Sequence, residues 1–176
     1  MEIVWNIVQY SIPALLVLIA TYLTQKQLLK NEKEMRRIEL LRVYSSTMTP
    51  LQLQAYERLT LFLERMIPDQ LVTRFPTNQL TTIQLQTKIL ESIRKEYEHN
   101  LSQQLYVGND VWIMVQHAKE SMVQLVNTCA AQYRAEDSGI QLATQLLNTY
   151  HAVDETPVEV AVDLLKKEMH ERFGQS

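Results

Sequence analysis

The sequence predicts an all-α protein: an N-terminal transmembrane helix that continues into a helical stalk, followed by a cytoplasmic bundle of four or five helices. Three observations lead to this fold class. Residues 3–25 carry no charged side chain, residues 25–48 contain neither Gly nor Pro, and apolar residues beyond them recur at helical spacing. The predicted boundaries are 1–25 for the anchor, 26–48 for the stalk and 49–176 for the cytoplasmic domain.

The predicted anchor is the apolar stretch at residues 3–23. Its 21 residues would rise about 31 Å as a helix, close to the hydrocarbon thickness of a bilayer. Aromatic residues lie near both ends and basic residues follow, a pattern typical of membrane–water interfaces. The predicted membrane-interface residues are Trp5, Tyr22, Lys26 and Lys30.

Charge predicts the topology of this anchor. Six Lys and Arg residues lie in residues 24–48 and none precedes the apolar stretch, so the positive-inside rule places the N-terminus outside and the C-terminal domain in the cytoplasm. The stretch has no basic n-region and no small-x-small cleavage motif, which favours an uncleaved anchor. The alternative is that it forms a buried helix of a soluble bundle. In the membrane, Asn6 and Gln9 would contact neighbouring helices.

The predicted stalk carries a partial apolar stripe among charged residues. Leu28, Met35, Ile38 and Leu41 share one face, while Leu29 and Val43 lie off it. Two interpretations remain: a solvated helical stalk, or a helix that associates with a second copy of itself as a coiled-coil seam.

Capping residues predict where the helices of the bundle begin. Thr-Pro pairs at residues 49–50 and 156–157 combine a good N-cap with the first helical position. Another helix is predicted from Thr77 or Asn78 to Val107, with Gly108 as its stop and Asn109 or Asp110 as the next N-cap. A further helix is predicted to begin after Asp137 or Ser138.

Apolar spacing predicts the buried faces of these helices. The residues expected in the core are Leu51, Ala55, Leu59, Phe62 and Met66; Leu80, Ile83, Leu90, Tyr97, Leu101 and Leu105; Val111, Val115, Ala118, Met122, Leu125 and Cys129; and Val158, Ala161, Leu165 and Met169.

Composition excludes several classes of site. Three glycines cannot build a phosphate-binding loop, and a single cysteine excludes a disulfide and any CxxC metal or redox site. Residues 49–176 contain 16 acidic and 11 basic residues, so this part repels polyphosphate chains and nucleic acid is not an expected partner. No nucleophile–base arrangement is apparent. The sequence therefore predicts no catalytic, cofactor or metal site.

A metal site is the enzymatic alternative. Glu96 and His99 have the Glu-x-x-His spacing that di-metal helical bundles use, but such bundles need two motifs in that sense. The pairs His117–Glu120 and His151–Asp154 run in the opposite sense. Cys129 lies on the apolar face of its helix, where a thiol is usually packed and inert.

The segment from Glu96 to Trp112 mixes uncharged polar groups with aromatic residues across a helix–helix junction. Two interpretations are open: a packed helix end whose amides satisfy a turn while its aromatic residues enter the core, and a recognition surface, since Tyr and Trp often anchor interfaces. The residues of the predicted interaction surface are Tyr97, Asn100, Gln103, Gln104, Tyr106 and Trp112.

The apolar N-terminal stretch together with the segment EYEHNLSQQLYVGNDVW (residues 96–112) resembles small single-pass membrane proteins in uncharacterised bacterial families. The resemblance covers the general plan and that one segment. It implies a bacterial inner-membrane setting and transfers no catalytic residues.

The function predicted from these observations is that of a non-enzymatic, membrane-anchored interaction or scaffolding protein, with homo-oligomerisation as an addition. Membrane lipid is the expected partner of residues 3–23. The alternatives are an accessory subunit of a membrane transport or secretion complex, and a membrane-tethered metalloenzyme that uses Glu96 and His99.

Overall fold

The computed structural model describes the backbone of residues 1–174 and the side chains of Met1 and residues 15–174. Its helices account for 83% of the chain and no strand is formed in the described range, which confirms the all-α class. The elements are α1 (Glu2–Met66), α2 (Pro68–Thr73), α3 (Thr82–Asn100), a 3₁₀ helix (Leu101–Leu105), α4 (Asn109–Ala130), α5 (Gly139–His151) and α6 (Pro157–Phe173).

The predicted transmembrane helix is wrong. Over the residues that the structure describes, no helix combines the length and the apolar character needed to cross a bilayer. The predicted inner-membrane location and topology depended on this helix and are wrong with it. The remainder of the predicted span, residues 3–14, lies outside the described side chains.

The helix start predicted at Pro50 is also wrong, because α1 is assigned continuously from Glu2 to Met66. Pro50 has no N–H to donate to the carbonyl of residue 46, yet one missing bond does not end a helix that is formed on both sides. Just before it, the hydroxyls of Ser46 and Thr47 donate to the carbonyl of Val43 at 2.9 and 3.0 Å. The chain divides at this point into two compact units, one from Met1 to Thr49 and one from Pro50 onward.

The hydrophobic core belongs to the second unit. The last four turns of α1 supply Ala55, Leu59, Phe62 and Met66, all at most 1% exposed, which confirms four of the five residues predicted there. Leu51 is 37% exposed. Helix α4 packs against α3, α5 and α6, so its apolar face is buried from several sides. Five of the six residues predicted for the buried face of α4 are buried. The sixth, Leu125, is only partly buried, and the neighbouring Val126 is buried instead.

The predicted buried face of α3 is confirmed only in part, because Leu80, Leu90 and Tyr97 are partly buried against the core. Ile83, Leu101 and Leu105 are 48%, 42% and 77% exposed, and the buried face instead carries Leu85, Ile89 and Ile93. The prediction followed seven-residue spacing through a straight helix, where such a stripe drifts about 20° per heptad. The start was placed too early as well: Thr81 and Gln84 form a capping box, and α3 begins at Thr82.

Other predicted helix starts are confirmed. Ser138 caps α5 by accepting from the N–H of Ile140, and Thr156 caps α6 in a capping box with Glu159. Gly108 precedes α4, but it is the N-cap of that helix and has φ −67°, so it is not a left-handed stop.

Candidate interaction surfaces

The first unit presents an apolar helix with no covering side chains. Every described side chain from Leu15 to Thr47 is exposed. On the predicted stripe, Leu28, Met35 and Ile38 are 56%, 67% and 52% exposed. Large apolar side chains exposed along one face of a helix often mark an interface, because their hydration is unfavourable. This surface, residues 28–44 of α1, is called the α1 stripe below.

The predicted membrane-interface residues lie on the same helix. Tyr22, Lys26 and Lys30 are exposed on α1, whereas the side chain of Trp5 lies outside the described residues, as do those of Asn6 and Gln9. With no spanning helix in the described part of the chain, the role assigned to them at a bilayer surface has lost its basis.

The predicted interaction surface at Tyr97–Trp112 lies partly in the interior. Trp112, Asn100 and Gln103 are 7%, 5% and 8% exposed. Tyr97 and Tyr106 are half-buried, and only Gln104 is exposed. The side-chain amide of Asn100 donates to the carbonyl of Glu96 at 2.8 Å, so this amide caps the end of α3. The structure therefore brings these residues together as a packed corner, and recognition by them remains a prediction.

Aromatic stacking organises this corner. The rings of Tyr97 and Trp112 stack with centroids 5.8 Å apart and planes at 22°, and Phe62 of α1 approaches Tyr97 at 6.0 Å. On the open side, the ammonium of Lys119 lies 4.5 Å from the centre of the Tyr97 ring. These contacts fix α3 and α4 against the end of α1.

Glu96 and His99, the metal-site alternative, are not joined by further ligands. One carboxylate oxygen of Glu96 lies 3.2 Å from Nη1 of Arg65, and no group of three His, Cys, Asp or Glu side chains converges among the described residues. Cys129 is buried, and its thiol lies 3.8 Å from the hydroxyl of Thr149. Neither arrangement assembles a nucleophile or a metal centre.

Glu168 forms a partly buried polar junction that the sequence does not reveal. Its Oε1 accepts from the Tyr56 hydroxyl at 2.6 Å and from the Gly108 N–H at 2.8 Å, and it lies 3.0 Å from Nη2 of Arg172 in an ion pair. Burial, and then the hydrogen bond to Glu168, raise the pKa of the Tyr56 phenol. This cluster, the Glu168 junction, ties α1 to α6 and to the start of α4.

An acidic groove of about 540 Å³ runs between the end of α1, α5 and α6. Near its rim, Nε2 of His151 lies 3.1 Å from a carboxylate oxygen of Asp69. The hydroxyls of Tyr150 and Thr156 share a hydrogen bond of 3.1 Å. Burial is the main cause that raises the pKa of the Tyr150 phenol. The six carboxylates of the lining are Glu64, Asp69, Asp154, Glu155, Glu159 and Asp163.

A basic groove of about 680 Å³ lies where α1 ends, beside α3. Within it, Arg65 and Arg74 approach the same carboxylate, that of Glu96, at 3.2 and 4.0 Å. The groove is lined by Arg65, Arg74, Phe75, Lys88, Glu91, Ser92, Lys95, Glu96 and His99. Sequence reasoning missed this site, although the seven-residue interval between Lys88 and Lys95 does place both on one face of a helix.

Comparison with known proteins identifies a family. The model of a family of unknown function (DUF7935) matches residues 2–172, while no curated protein and no solved structure matches the chain. The predicted resemblance to an uncharacterised family is thereby confirmed. The match does not show that the protein is bacterial or that it spans a membrane once. Because the match covers almost the whole sequence, the chain belongs to DUF7935, a family of unknown function.

Proposed function

We propose that this protein is a non-enzymatic interaction module that self-associates through the α1 stripe. The observation that carries the proposal is the exposure of large apolar side chains along the first unit, among them Met35 at 67% and Ile38 at 52%. Burying one such side chain against a partner is worth about 1.5–3 kcal/mol. Several together supply enough free energy to hold two helices in contact.

A second copy of the chain fits this surface because the stripe lies among charges of both signs. Six basic residues and three acidic residues are interspersed between Lys26 and Arg42, so ion pairs can form between two copies of the helix. A symmetric dimer uses one self-complementary patch twice and therefore needs no other surface. Coiled-coil pairing with charged flanking positions has these properties.

The non-enzymatic part of the proposal rests on what the polar groups of the second unit do. The Glu168 carboxylate and the Thr156 hydroxyl hold helices together or cap them. The Cys129 thiol is packed in the core. His170 contacts the carbonyl of Lys166 within its own helix at 2.7 Å. These groups have structural partners, which accounts for their positions without a reaction.

Sedimentation equilibrium of the full chain tests self-association. We expect a concentration-dependent mass that reaches at least twice that of the monomer. The variant Met35→Gln/Ile38→Gln should dissociate at concentrations where the wild type is associated, since it removes apolar area from the stripe. A matched control is Leu105→Gln/Ile113→Gln, at residues 77% and 50% exposed in the second unit, which should associate as the wild type does. A wild type that is monomeric throughout, or a control that dissociates equally, overturns the proposal.

A further inference from the structure

The basic groove has a charge opposite to that of the unit that contains it. From residue 49 onward the chain carries 16 acidic and 11 basic residues, yet the groove is lined by four Lys and Arg side chains and only two carboxylates, with His99 in addition. Its positive potential therefore does not follow from overall composition. A concave surface concentrates such a potential and attracts anions of matching size.

The two arginines of the groove are held in place. The Arg74 guanidinium donates to the backbone carbonyl of Arg65 at 3.1 Å and approaches the Ser92 hydroxyl at 3.5 Å. Its side chain is only 30% exposed. Both guanidinium groups share the single carboxylate of Glu96, so one positive charge of this trio is not compensated. A fixed guanidinium loses little side-chain entropy when it binds an anion.

Two lysines extend the positive surface along α3. Lys88 and Lys95 are exposed and, within the described part of the chain, neither has a carboxylate within 4.0 Å. Seven residues of helix separate them by about 10 Å along the axis. That distance exceeds the span of one phosphate group and matches a chain of three linked phosphates or two phosphates on a small scaffold.

We infer that the basic groove binds a small ligand with two or more phosphate groups, held by Arg65 and Arg74 at one side and by Lys88 and Lys95 along α3. Guanidinium groups donate to phosphate oxygens in a bidentate manner, and ammonium groups add charge without directional demands. The volume of about 680 Å³ accommodates such a molecule. This inference is independent of self-association through the α1 stripe, because all its residues lie in the second unit.

Isothermal titration calorimetry of the full chain with inorganic tripolyphosphate tests the inference. We expect saturable binding that weakens as salt is added, with orthophosphate binding at least tenfold more weakly because it reaches fewer of the four cations. The variant Lys88→Gln/Lys95→Gln should weaken the binding of tripolyphosphate about tenfold or more, because it removes two of the four cations that contact the ligand. The control Lys166→Gln/Lys167→Gln removes two exposed charges from α6, outside the basic groove, and should bind as the wild type does.

A second variant gives an effect in the opposite direction. Glu91 lines the groove between the two lysines, so Glu91→Gln should tighten tripolyphosphate binding by removing repulsion, an effect that general loss of structure would not produce. The inference is overturned by absent or unsaturable binding, by equal losses in both lysine pairs, or by weaker binding in Glu91→Gln. Equal affinity for citrate would overturn the assignment to phosphate.

Discussion

The hydroxyl of Tyr56 donates a 2.6 Å hydrogen bond to Oε1 of Glu168, which lies 112 residues further along the chain. Tyr56 is 3% exposed, and the Glu168 side chain is 16% exposed. Because a hydrogen bond to a partly buried carboxylate is stronger than one between neutral groups, this contact is a main connection between α1 and α6. The Tyr56 ring also meets Phe173 edge-on at 6.2 Å.

Removing that hydroxyl should destabilise the second unit. We expect Tyr56→Phe to lower the free energy of unfolding by about 1–3 kcal/mol, because the carboxylate loses one of its donors while it stays partly buried. Urea denaturation followed by circular dichroism measures the change. The control Tyr44→Phe alters a ring that is 62% exposed and should change stability by less than about 0.5 kcal/mol. Equal effects in the two variants would contradict the role of the junction.

The same hydrogen bond predicts how stability changes at high pH. The pKa of Tyr56 is raised above its ordinary value of 10.0 in the folded protein, mainly by burial and then by the bond to Glu168. Above the unfolded pKa, the unfolded state releases a proton that the folded state retains, so the free energy of unfolding falls as pH rises from near 10.0. Below that value the phenol is protonated in both states and contributes no pH dependence.

Unfolding measured at several pH values from 8 to 11 tests this dependence. We expect the wild type to lose stability more steeply above pH 10 than Tyr56→Phe does. Some slope should remain in the variant, because burial also raises the pKa of Tyr150. If the free energy of unfolding falls equally steeply with pH in both proteins, then the pKa of Tyr56 is not raised in the folded protein.

Gly108 has no side chain, which lets its backbone approach the Glu168 carboxylate closely; its backbone angles are ordinary. Its φ of −67° suits any residue, but a Cβ atom there would collide with the Glu168 carboxylate. Gly108→Ala should therefore push the flexible Glu168 carboxylate aside and strain its hydrogen bonds, at a cost of about 1 kcal/mol of stability. In a double-mutant cycle with Glu168→Ala, the loss from Gly108→Ala should be smaller, since the colliding group is gone. If the stability losses of the two single variants simply add in the double variant, then a collision with Glu168 does not explain the effect of Gly108→Ala.

Local signals in the sequence predicted helix starts well and long-range packing poorly. Thr156-Pro157 and Ser138 marked real caps because capping depends on residues within one turn. The box at Thr81 and Gln84 had the same kind of signal and was overlooked. In contrast, nothing near Gly108 indicates that its N–H meets Glu168, because that partner lies 60 residues away.

The surfaces were harder to predict than the helices. The interval between Lys88 and Lys95 is visible in the sequence, but Arg65 and Arg74 come from two other helical segments, and only the fold brings them beside α3. For the N-terminal stretch, the absence of charge up to Gln25 favoured a membrane span. Among the residues that the structure describes, no helix is long and apolar enough to span a membrane.

The capping box of α6 should contribute measurably to stability. The Thr156 hydroxyl accepts from the Glu159 N–H at 3.3 Å and also meets the Tyr150 hydroxyl at 3.1 Å. Thr156→Ala should therefore lower the free energy of unfolding by about 1–2 kcal/mol, and Thr156→Ser, which keeps the oxygen, should restore most of it. If the serine variant is as unstable as the alanine variant, then the methyl group and not the cap is what matters.

Cys129 reports on opening of the contact between α4 and α5. It is the single cysteine of the chain, it is fully buried, and its thiol faces Thr149 of α5. A thiol reagent such as DTNB should react slowly with the native protein and at once in denaturant, because the thiolate must reach solvent before it attacks. Thr156→Ala should accelerate the native reaction if that reaction requires unfolding of the second unit, whereas Tyr44→Phe should leave its rate unchanged. A native rate as fast as the denatured one would mean that this helix pair is open to solvent, and the buried face of α4 would then need to be reconsidered.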